Sequence, residues 1–188
     1  MKDINLFKIK DSIFLKEVFS KQEVLPDDSC DGYLIKSSEI EARKIIEYLK
    51  SKNIKKLIAL VGGESNFNRR ALEKLKIDFL VSVEKGEKKD SLKQRDSGLN
   101  HVSAKIAAEK GISIVINFSE ISGLFGEEKA LRIGRIIQNI KVCRKVNCRI
   151  LIASFARNKK EMVSVHSRKS FGISLGMSSK QSKECVEF

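Results

Sequence analysis

Residues 91–118 read SLKQRDSGLNHVSAKIAAEKGISIVINF, which passes from a polar loop to an amphipathic helix and then to an apolar segment. Gly111 is predicted to end the helix, because glycine readily adopts the positive φ that a helix terminus commonly requires. Residues 112–118 carry no charge and are apolar on both faces, which is typical of a strand covered on both sides. The stretch therefore predicts a helix that packs on a mostly parallel sheet.

The start and the buried face of this helix follow from its residue types. Ser97 or Asp96 is expected to cap it, because a short side-chain oxygen accepts hydrogen bonds from the first N–H groups of a helix. Leu99, Val102 and Ile106 recur at helical spacing and are predicted to form one buried stripe. The polar residues at this loop–helix junction then form either a binding site or a solvated corner.

The same alternation of strand and helix extends along the chain. Further strands are predicted at 33–35, 57–61, 79–81 and 149–155, with a weaker one within 6–19, a turn at 26–29 and a charged loop at 84–94. Further helices are predicted after the capping pattern Ser38-x-x-Glu41, over 66–76 and 127–145, and around Gly176. This order predicts a parallel sheet covered by helices, either closed into a barrel or open and doubly wound. Residues 1–188 are expected to form a single domain.

The long helix predicted over 127–145 is expected to bury an apolar stripe. The stripe consists of Ala130, Ile133, Ile137 and Ile140. Arg132 and Arg135 are then predicted to lie on the solvent side of the helix.

The charge of the chain is strongly positive and unevenly distributed. Its 37 Lys and Arg outnumber its 24 Asp and Glu, which gives a net charge of +13. Residues 129–188 contain 14 of the basic and only three of the acidic residues, so nearly all the excess lies in the last third of the sequence. Such an excess predicts a polyanionic partner, because charge far from neutrality costs self-repulsion in the free protein. A basic surface that serves only solubility is the alternative.

The four cysteines form no C-x-x-C pair and have no neighbouring histidines. They are therefore predicted to be buried free thiols in a reducing compartment. No apolar run approaches the roughly 20 residues that a membrane span requires. The sequence thus predicts a cytoplasmic protein with no membrane partner.

The residues needed for common enzyme chemistries are sparse. His101 and His166 are the only histidines, and no H-x-H pair occurs, so no metal site and no catalytic residue are predicted within the chain. His101 could act as a general base or could form a structural hydrogen bond to the preceding loop. The Gly62-Gly63-Glu64-Ser65 stretch is interpreted as a tight turn, since it lacks a complete phosphate-binding motif.

Two blocks of sequence resemble a known family. Residues 95–105 read RDSGLNHVSAK, and the second block combines 151–156, Arg168, 174–177 and Gln181. Together they resemble the ribonuclease P protein component 3 family, and the archaeal members most closely. The resemblance extends from about residue 57 to residue 185.

The resemblance implies an irregular TIM-barrel-like α/β fold, related to the polymerase and histidinol phosphatase barrel. It also implies a noncatalytic subunit of ribonuclease P, the endoribonuclease that removes 5′ leaders from precursor tRNA. The expected partners are the ribonuclease P RNA, protein component 2 and other protein subunits, with precursor tRNA contacted indirectly. No cofactor is expected on the chain, and Mg²⁺ is expected on the RNA. Two alternatives are a metal-dependent phosphoesterase on the same scaffold and an RNA-binding module unrelated to tRNA maturation.

Basic side chains on the predicted rim of the barrel are the candidate RNA contacts, because Arg and Lys bind phosphates and functional loops follow the carboxyl ends of barrel strands. The candidates are Lys93, Arg95, His101, Lys105, Arg132, Arg135, Arg157, Lys159, Lys160, Arg168 and Lys169. Aromatic residues make up only 6% of the chain, which favours recognition of RNA shape and backbone over base stacking.

Overall fold

A computed structural model describes residues 2–25, 29–86, 90 and 95–188. Seven strands pair in the order of the sequence, and each is parallel to its neighbours. They are β1 (Ile4–Asn5), β2 (Ile13–Val18), β3 (Gly32–Ile35), β4 (Leu57–Val61), β5 (Phe79–Val81), β6 (Ser113–Asn117) and β7 (Ile150–Ala153). The strands form a nearly closed barrel, which confirms the predicted TIM-barrel-like α/β fold.

Seven helices surround the strands of the barrel among the described residues. They are α1 (Glu39–Ser51), α2 (Ser65–Lys74), α3 (His101–Glu109), α4 (Phe118–Ser122), α5 (Gly126–Lys145), α6 (Val165–Ser174) and α7 (Ser179–Glu184). Single turns of 3₁₀ helix occupy 21–23, 83–85 and 159–161. Because each connection returns from the carboxyl end of one strand to the start of the next, loops that follow strands share one end of the barrel.

The barrel closes where β1 meets the chain that follows β7. The Leu6 N–H donates to the Ala156 carbonyl and the Phe155 N–H donates to the Ile4 carbonyl, each at 2.8 Å. The Asp3 carboxylate also accepts from the Ser154 N–H at 3.0 Å. The first and last strands are thus joined by main-chain and side-chain bonds across a seam.

Two apolar cores follow from the alternation of side chains along each strand. On β3, Leu34 points into the barrel, whereas Tyr33 and Ile35 point outward to the helices. The interior is filled by small and branched side chains and by Phe79 and Phe155. The Phe79 ring contacts the Phe188 ring edge to face, with centroids 6.4 Å apart. The barrel interior is therefore packed and is not a channel.

The predicted strands are confirmed to within a few residues at each end. Two short elements, β1 and α4, were not predicted: β1 has only two residues, and α4 begins at Phe118, inside the apolar run that was expected to continue the strand. The predicted turn at 26–29 lies mostly outside the described residues. The four cysteines are buried and free, as predicted. No described helix is long and apolar enough to cross a membrane.

The predicted start and buried face of α3 are partly wrong. Asn100 caps the helix, and its side-chain oxygen accepts from the Ser103 N–H at 2.8 Å. Leu99 is buried and Gly111 has the expected positive φ of 70°, but Val102 is 55% exposed. The buried face instead consists of small residues, Ser103, Ala104 and Ala107, because α3 packs closely against α2 and α5.

The predicted face of α5 is also wrong. Ala130 is exposed, Ile133 and Ile137 are half-buried, and Arg132 and Arg135 lie on the buried side with 6% and 1% exposure. Of the predicted stripe only Ile140 is fully buried. The helix is rotated relative to its apolar pattern, because buried polar groups from other segments bind the two guanidinium groups.

Candidate functional site

A depression of about 440 Å³ opens at the carboxyl end of the barrel strands, where α/β barrels place functional groups. Its lining side chains are predominantly charged or polar. They are Leu6, Glu17, Lys36, Val61, Lys85, Asn117, Ser119, Glu120, Phe155, Arg157 and Glu161.

Two glutamates in this depression pair with the cations around them. Glu17 forms ion pairs with Lys36 and, at 3.7 Å, with Arg157. Glu120 lies 2.6 Å from the Lys85 ammonium and 3.3 Å from the Arg132 guanidinium. Because each carboxylate offsets the cations that it contacts, this end of the barrel has less free positive charge than its basic residues suggest.

Glu120 is held in place by β5 and its following turn. Ser82 has a left-handed backbone with φ of 52°, and its hydroxyl donates to Glu120 at 2.8 Å. Burial raises the pKa of Glu120, but the hydrogen bonds from Lys85 and Ser82 together with the positive charges of Lys85 and Arg132 outweigh that effect, and the net pKa is lowered. Glu120 is therefore a charged anchor for Lys85 and Arg132.

Glu84 is a buried carboxyl group beneath this cluster. It is 1% exposed, and burial raises its pKa to about 7, although the nearby Arg132 guanidinium opposes the shift and Glu120 adds to it. Neither the Glu84 Oε1 atom nor the Arg132 Nε atom has a hydrogen-bond partner among the described residues. The sequence did not indicate this residue, because it lies at the start of a stretch interpreted as a charged loop.

We expect Glu84→Gln to stabilise the protein at pH 8 and to have little effect at pH 5. A raised folded-state pKa means that the folded state binds more protons than the unfolded state, so the free energy of unfolding falls as pH rises from about 4.5 to about 7. At 1.36 kcal/mol per pKa unit, the loss approaches about 3 kcal/mol above pH 7. Urea unfolding of the parent and the variant at both pH values measures this difference. Exposed Glu47→Gln is the control, and an unchanged pH dependence in Glu84→Gln would contradict the assignment.

Arg135 binds three described residues of the segment that joins β5 to α3. Its guanidinium donates to the Asp90 carboxylate at 2.8 and 3.0 Å, and to the carbonyls of Glu84 at 3.1 Å and Gly86 at 2.5 Å. With 1% exposure, the side chain is fully engaged inside the protein. Its role is therefore to hold Glu84, Gly86 and Asp90 against α5.

Asn68 on α2 binds both ends of the same segment. Its side-chain NH₂ group donates to the carbonyls of Gly63 and Val83 at 2.9 Å and of Gly98 at 3.0 Å. Its side-chain oxygen accepts from the Gly63 N–H at 2.8 Å. Asn68 is completely buried. The Gly62-Gly63 stretch is thus a structural turn fixed by Asn68, in line with its interpretation as a tight turn.

The RDSGLNH motif at 95–101 is also largely engaged in internal contacts. The Arg95 guanidinium lies against the backbone of α5 and donates to the Gly134 carbonyl at 3.3 Å. The Asp96 carboxylate accepts from the Ser65 hydroxyl, and the Ser97 carbonyl accepts from the Asn139 side chain at 2.9 Å. The motif therefore connects α2, α3 and α5.

The candidate RNA-binding residues separate into two groups. Arg132, Arg135 and Arg168 are buried, which corrects the expectation that they face solvent. The exposed or half-buried group consists of Arg95, His101, Lys105, Arg157, Lys159, Lys160 and Lys169. Lys93 lies outside the described residues. The polar residues Arg132, Arg135 and Asn139, spaced three and four apart, were the sequence signal for a buried polar face on α5.

Arg168 is buried at the barrel seam. Its guanidinium is 2.9 Å from the Asp3 carboxylate and donates to the Ile152 carbonyl at 3.1 Å. Its side chain is 1% exposed, so it joins α6 to β1 and β7 and does not extend to the rim. Among the described residues, no group of three or more His, Cys, Asp or Glu side chains is arranged to hold a metal ion.

The fold and the site define a parallel-stranded α/β barrel whose carboxyl end carries ion-paired cations. A family model described as RNase P subunit p30 matches residues 36–188. The chain belongs to this family of ribonuclease P protein subunits, which confirms the resemblance found in the sequence.

Curated relatives support the assignment. Ribonuclease P protein component 3 of Thermococcus gammatolerans is 25% identical over 203 residues, an alignment that covers all of this chain and 91% of the relative. The component 3 protein of Methanocaldococcus jannaschii is 29% identical over 115 residues, which cover 61% of this chain and 47% of that longer protein.

Solved structures share the fold. A chain in a cryo-EM structure of archaeal ribonuclease P with mature tRNA superposes with a TM-score of 0.72 and is 21% identical in sequence. The match covers 98% of this chain and 86% of that chain. The crystal structure of an uncharacterized protein has a TM-score of 0.57 and 11% identity, covering 84% of this chain and 42% of that one. These similarities show a common barrel architecture.

Proposed function

We propose that this chain supports removal of the 5′ leader from precursor tRNA by binding and stabilising the catalytic RNA of ribonuclease P. The observation that carries the proposal is the match of residues 36–188 to the RNase P subunit p30 family. The barrel fold shared with a chain of archaeal ribonuclease P supports it. The family match does not favour a metal-dependent phosphoesterase.

In this proposal the chain is noncatalytic, and the RNA with its bound Mg²⁺ carries out the cleavage in the cytoplasm. The arrangement of the barrel end supports a structural role, because Glu17 and Glu120 bind Lys and Arg side chains of the same chain. The proposed partners are the ribonuclease P RNA, protein component 2 and other protein subunits, with precursor tRNA contacted indirectly.

The proposed RNA contacts on the carboxyl end are the exposed members of the candidate group. His101 and Lys105 lie one turn apart on the exposed face of α3. Lys159 and Lys160 lie in the loop after β7, where the Asn158 side chain accepts from the Lys160 N–H at 3.0 Å and shapes the turn. Exposed lysines on a short, ordered turn present charge to phosphates without the cost of ordering a long loop.

Reconstitution tests the proposal. We expect the cognate ribonuclease P RNA with component 2 to cleave precursor tRNA at a lower Mg²⁺ concentration when this chain is added, because bound lysines replace part of the cation requirement. Lys159→Gln/Lys160→Gln is expected to lower the log–log salt slope of RNA affinity by about 1.5. Lys50→Gln/Lys52→Gln, at the C-terminal end of α1, is the matched control. Absence of any gain in cleavage with the added parent chain would refute the proposed function.

A further inference from the structure

The largest cluster of exposed cations in the last third of the chain lies at the opposite end of the barrel from the predicted rim. α5 ends at Lys145 and β7 begins at Ile150, so this region surrounds the amino end of the last strand. Six exposed basic residues from α5, the following loop and α7 form what we call the α5–α7 patch. They are Lys141, Arg144, Lys145, Arg149, Lys180 and Lys183.

Hydrogen bonds hold the parts of the α5–α7 patch together. Arg144 donates to the Gln181 side-chain oxygen at 2.9 Å, and Gln181 donates to the Ile140 carbonyl at 3.1 Å. The Arg149 guanidinium donates to the Glu187 carbonyl. A groove of about 410 Å³ between α5 and α7 is lined by Arg144, Arg149 and Lys180, and also by Glu184 and Glu187. The hydrogen bonds therefore fix Arg144 and Arg149 against α7 and the residues that follow it.

The charge of the patch is largely unneutralised within the protein. Its only ion pair among the described residues joins Lys180 to Glu184, at the limiting distance of 4.0 Å. Lys141, Lys145 and Lys183 form no ion pair with any described residue. Three cations in the depression at the carboxyl end differ, since Lys36, Lys85 and Arg157 each contact a glutamate. The α5–α7 patch is thus available to an external anion, as are the exposed Lys159 and Lys160 in the loop after β7.

The helix dipole does not explain the whole patch. Cations in the last turn of a helix are stabilised by the macrodipole, which accounts for Arg144 and Lys145 at the end of α5. Lys141 lies a turn earlier, and Lys180 lies in the first turn of α7, where the dipole disfavours a cation. These lysines cost the free protein electrostatic repulsion that a bound polyanion would relieve.

We propose that the α5–α7 patch binds the phosphate backbone of the ribonuclease P RNA. The inference rests on the proposed function and adds a second RNA surface to it, at the other end of β7 from the loop that carries Lys159 and Lys160. No aromatic side chain lines the groove, so the surface suits phosphates better than bases. The barrel then contacts the RNA at both ends of its last strand.

A triple substitution tests the patch. Lys141→Gln/Lys145→Gln/Lys183→Gln is expected to lower the log–log salt slope of RNA affinity by about 2–3 in the complex with component 2. Lys50→Gln/Lys52→Gln/Lys55→Gln removes the same charge at the same end of the barrel, but beside β3 and β4, and is expected to leave the slope unchanged. Circular dichroism of both variants checks that the fold is retained. Equal slopes in the two variants would overturn the inference.

Proximity to the RNA can be measured separately. Because the four native cysteines are buried, a thiol-reactive iron–EDTA probe will attach to the Lys183→Cys variant at the introduced cysteine. We expect it to cut the RNA backbone in the assembled complex, whereas the same probe at Lys52→Cys gives no cuts at those nucleotides.

The outcomes separate the two proposals. If the parent chain lowers the Mg²⁺ requirement but the probe at Lys183→Cys gives no cuts, the patch inference fails and the proposed function stands. If the parent chain has no effect on cleavage, both fail. If the triple variant loses affinity for component 2 in the absence of RNA, the patch is a protein interface and the inference is overturned.

Discussion

Gly98→Ala is expected to destabilise the protein by about 4–5 kcal/mol, a large share of the stability of an ordinary domain. Gly98 has a φ of 76°, and a Cβ atom at this position would lie 1.8 Å from the Val83 carbonyl oxygen and 2.8 Å from the Asn68 side-chain nitrogen. The backbone strain and the clash add together. The clash is also expected to separate Asn68 from two of the three carbonyls that it binds, those of Val83 and Gly98.

Gly111→Ala is the matched control for this prediction. Gly111 has a similar φ of 70°, but a Cβ atom there has no neighbour within 4 Å. It should therefore cost only the backbone strain, about 1–2 kcal/mol. Urea unfolding followed by circular dichroism compares the two variants. Equal losses would mean that the close approach of the chain at Gly98 contributes nothing.

The close approach of the chain at Gly98 gives the RDSGLNH motif a structural role. The sequence left open whether the polar residues at this loop–helix junction form a binding site or a solvated corner. In the structure, the middle of the motif binds its neighbours through Asp96, Ser97 and Gly98, and only the ends of the motif are exposed. A string of polar residues can thus be required by the fold, while the exposed side chains at its ends remain available to a ligand.

The strands could be predicted because each is a short apolar run bounded by polar or glycine residues. The face of α5 could not, because Arg135 is buried by Asp90, which lies 45 residues earlier in the chain. Periodicity records which side chains are apolar, and it does not record which polar side chains will find buried partners. The same limitation applied to Arg168, whose partner is at the other end of the sequence.

The distribution of positive charge could likewise be predicted only in part from the sequence. The sequence placed the excess in the last third of the chain, and the exposed patch on α5 and α7 lies in that third. It did not reveal which cations are paired, because Glu17 and Glu120 come from earlier strands and helices. Net charge therefore indicated the class of partner, while the location of the free cations required the fold.

Arg168→Met is expected to cost about 3–5 kcal/mol, because it leaves the Asp3 carboxylate as an unpaired charge inside the protein. Asp3 accepts from the N–H groups of Ile4 and Ser154 and from the Arg168 guanidinium, all within 3.0 Å. The pair spans the seam at which the barrel closes, so its loss weakens the contact between the first and last strands. Urea unfolding of the variant measures the loss.

A double-mutant cycle isolates the ion pair from other effects of the substitution. Asp3→Asn/Arg168→Met removes both charges and should recover part of the stability lost in Arg168→Met alone. Lys169→Met, at the adjacent half-buried position, should change the free energy of unfolding by less than about 0.5 kcal/mol. The salt dependence of RNA affinity tests the alternative that Arg168 binds a phosphate. A buried guanidinium releases no counterion from the RNA, so Arg168→Met is expected to leave the salt dependence unchanged. If Arg168→Met folds as stably as the parent and lowers the log–log slope by about 0.7–0.9, Arg168 is a phosphate ligand and the seam is held by other contacts.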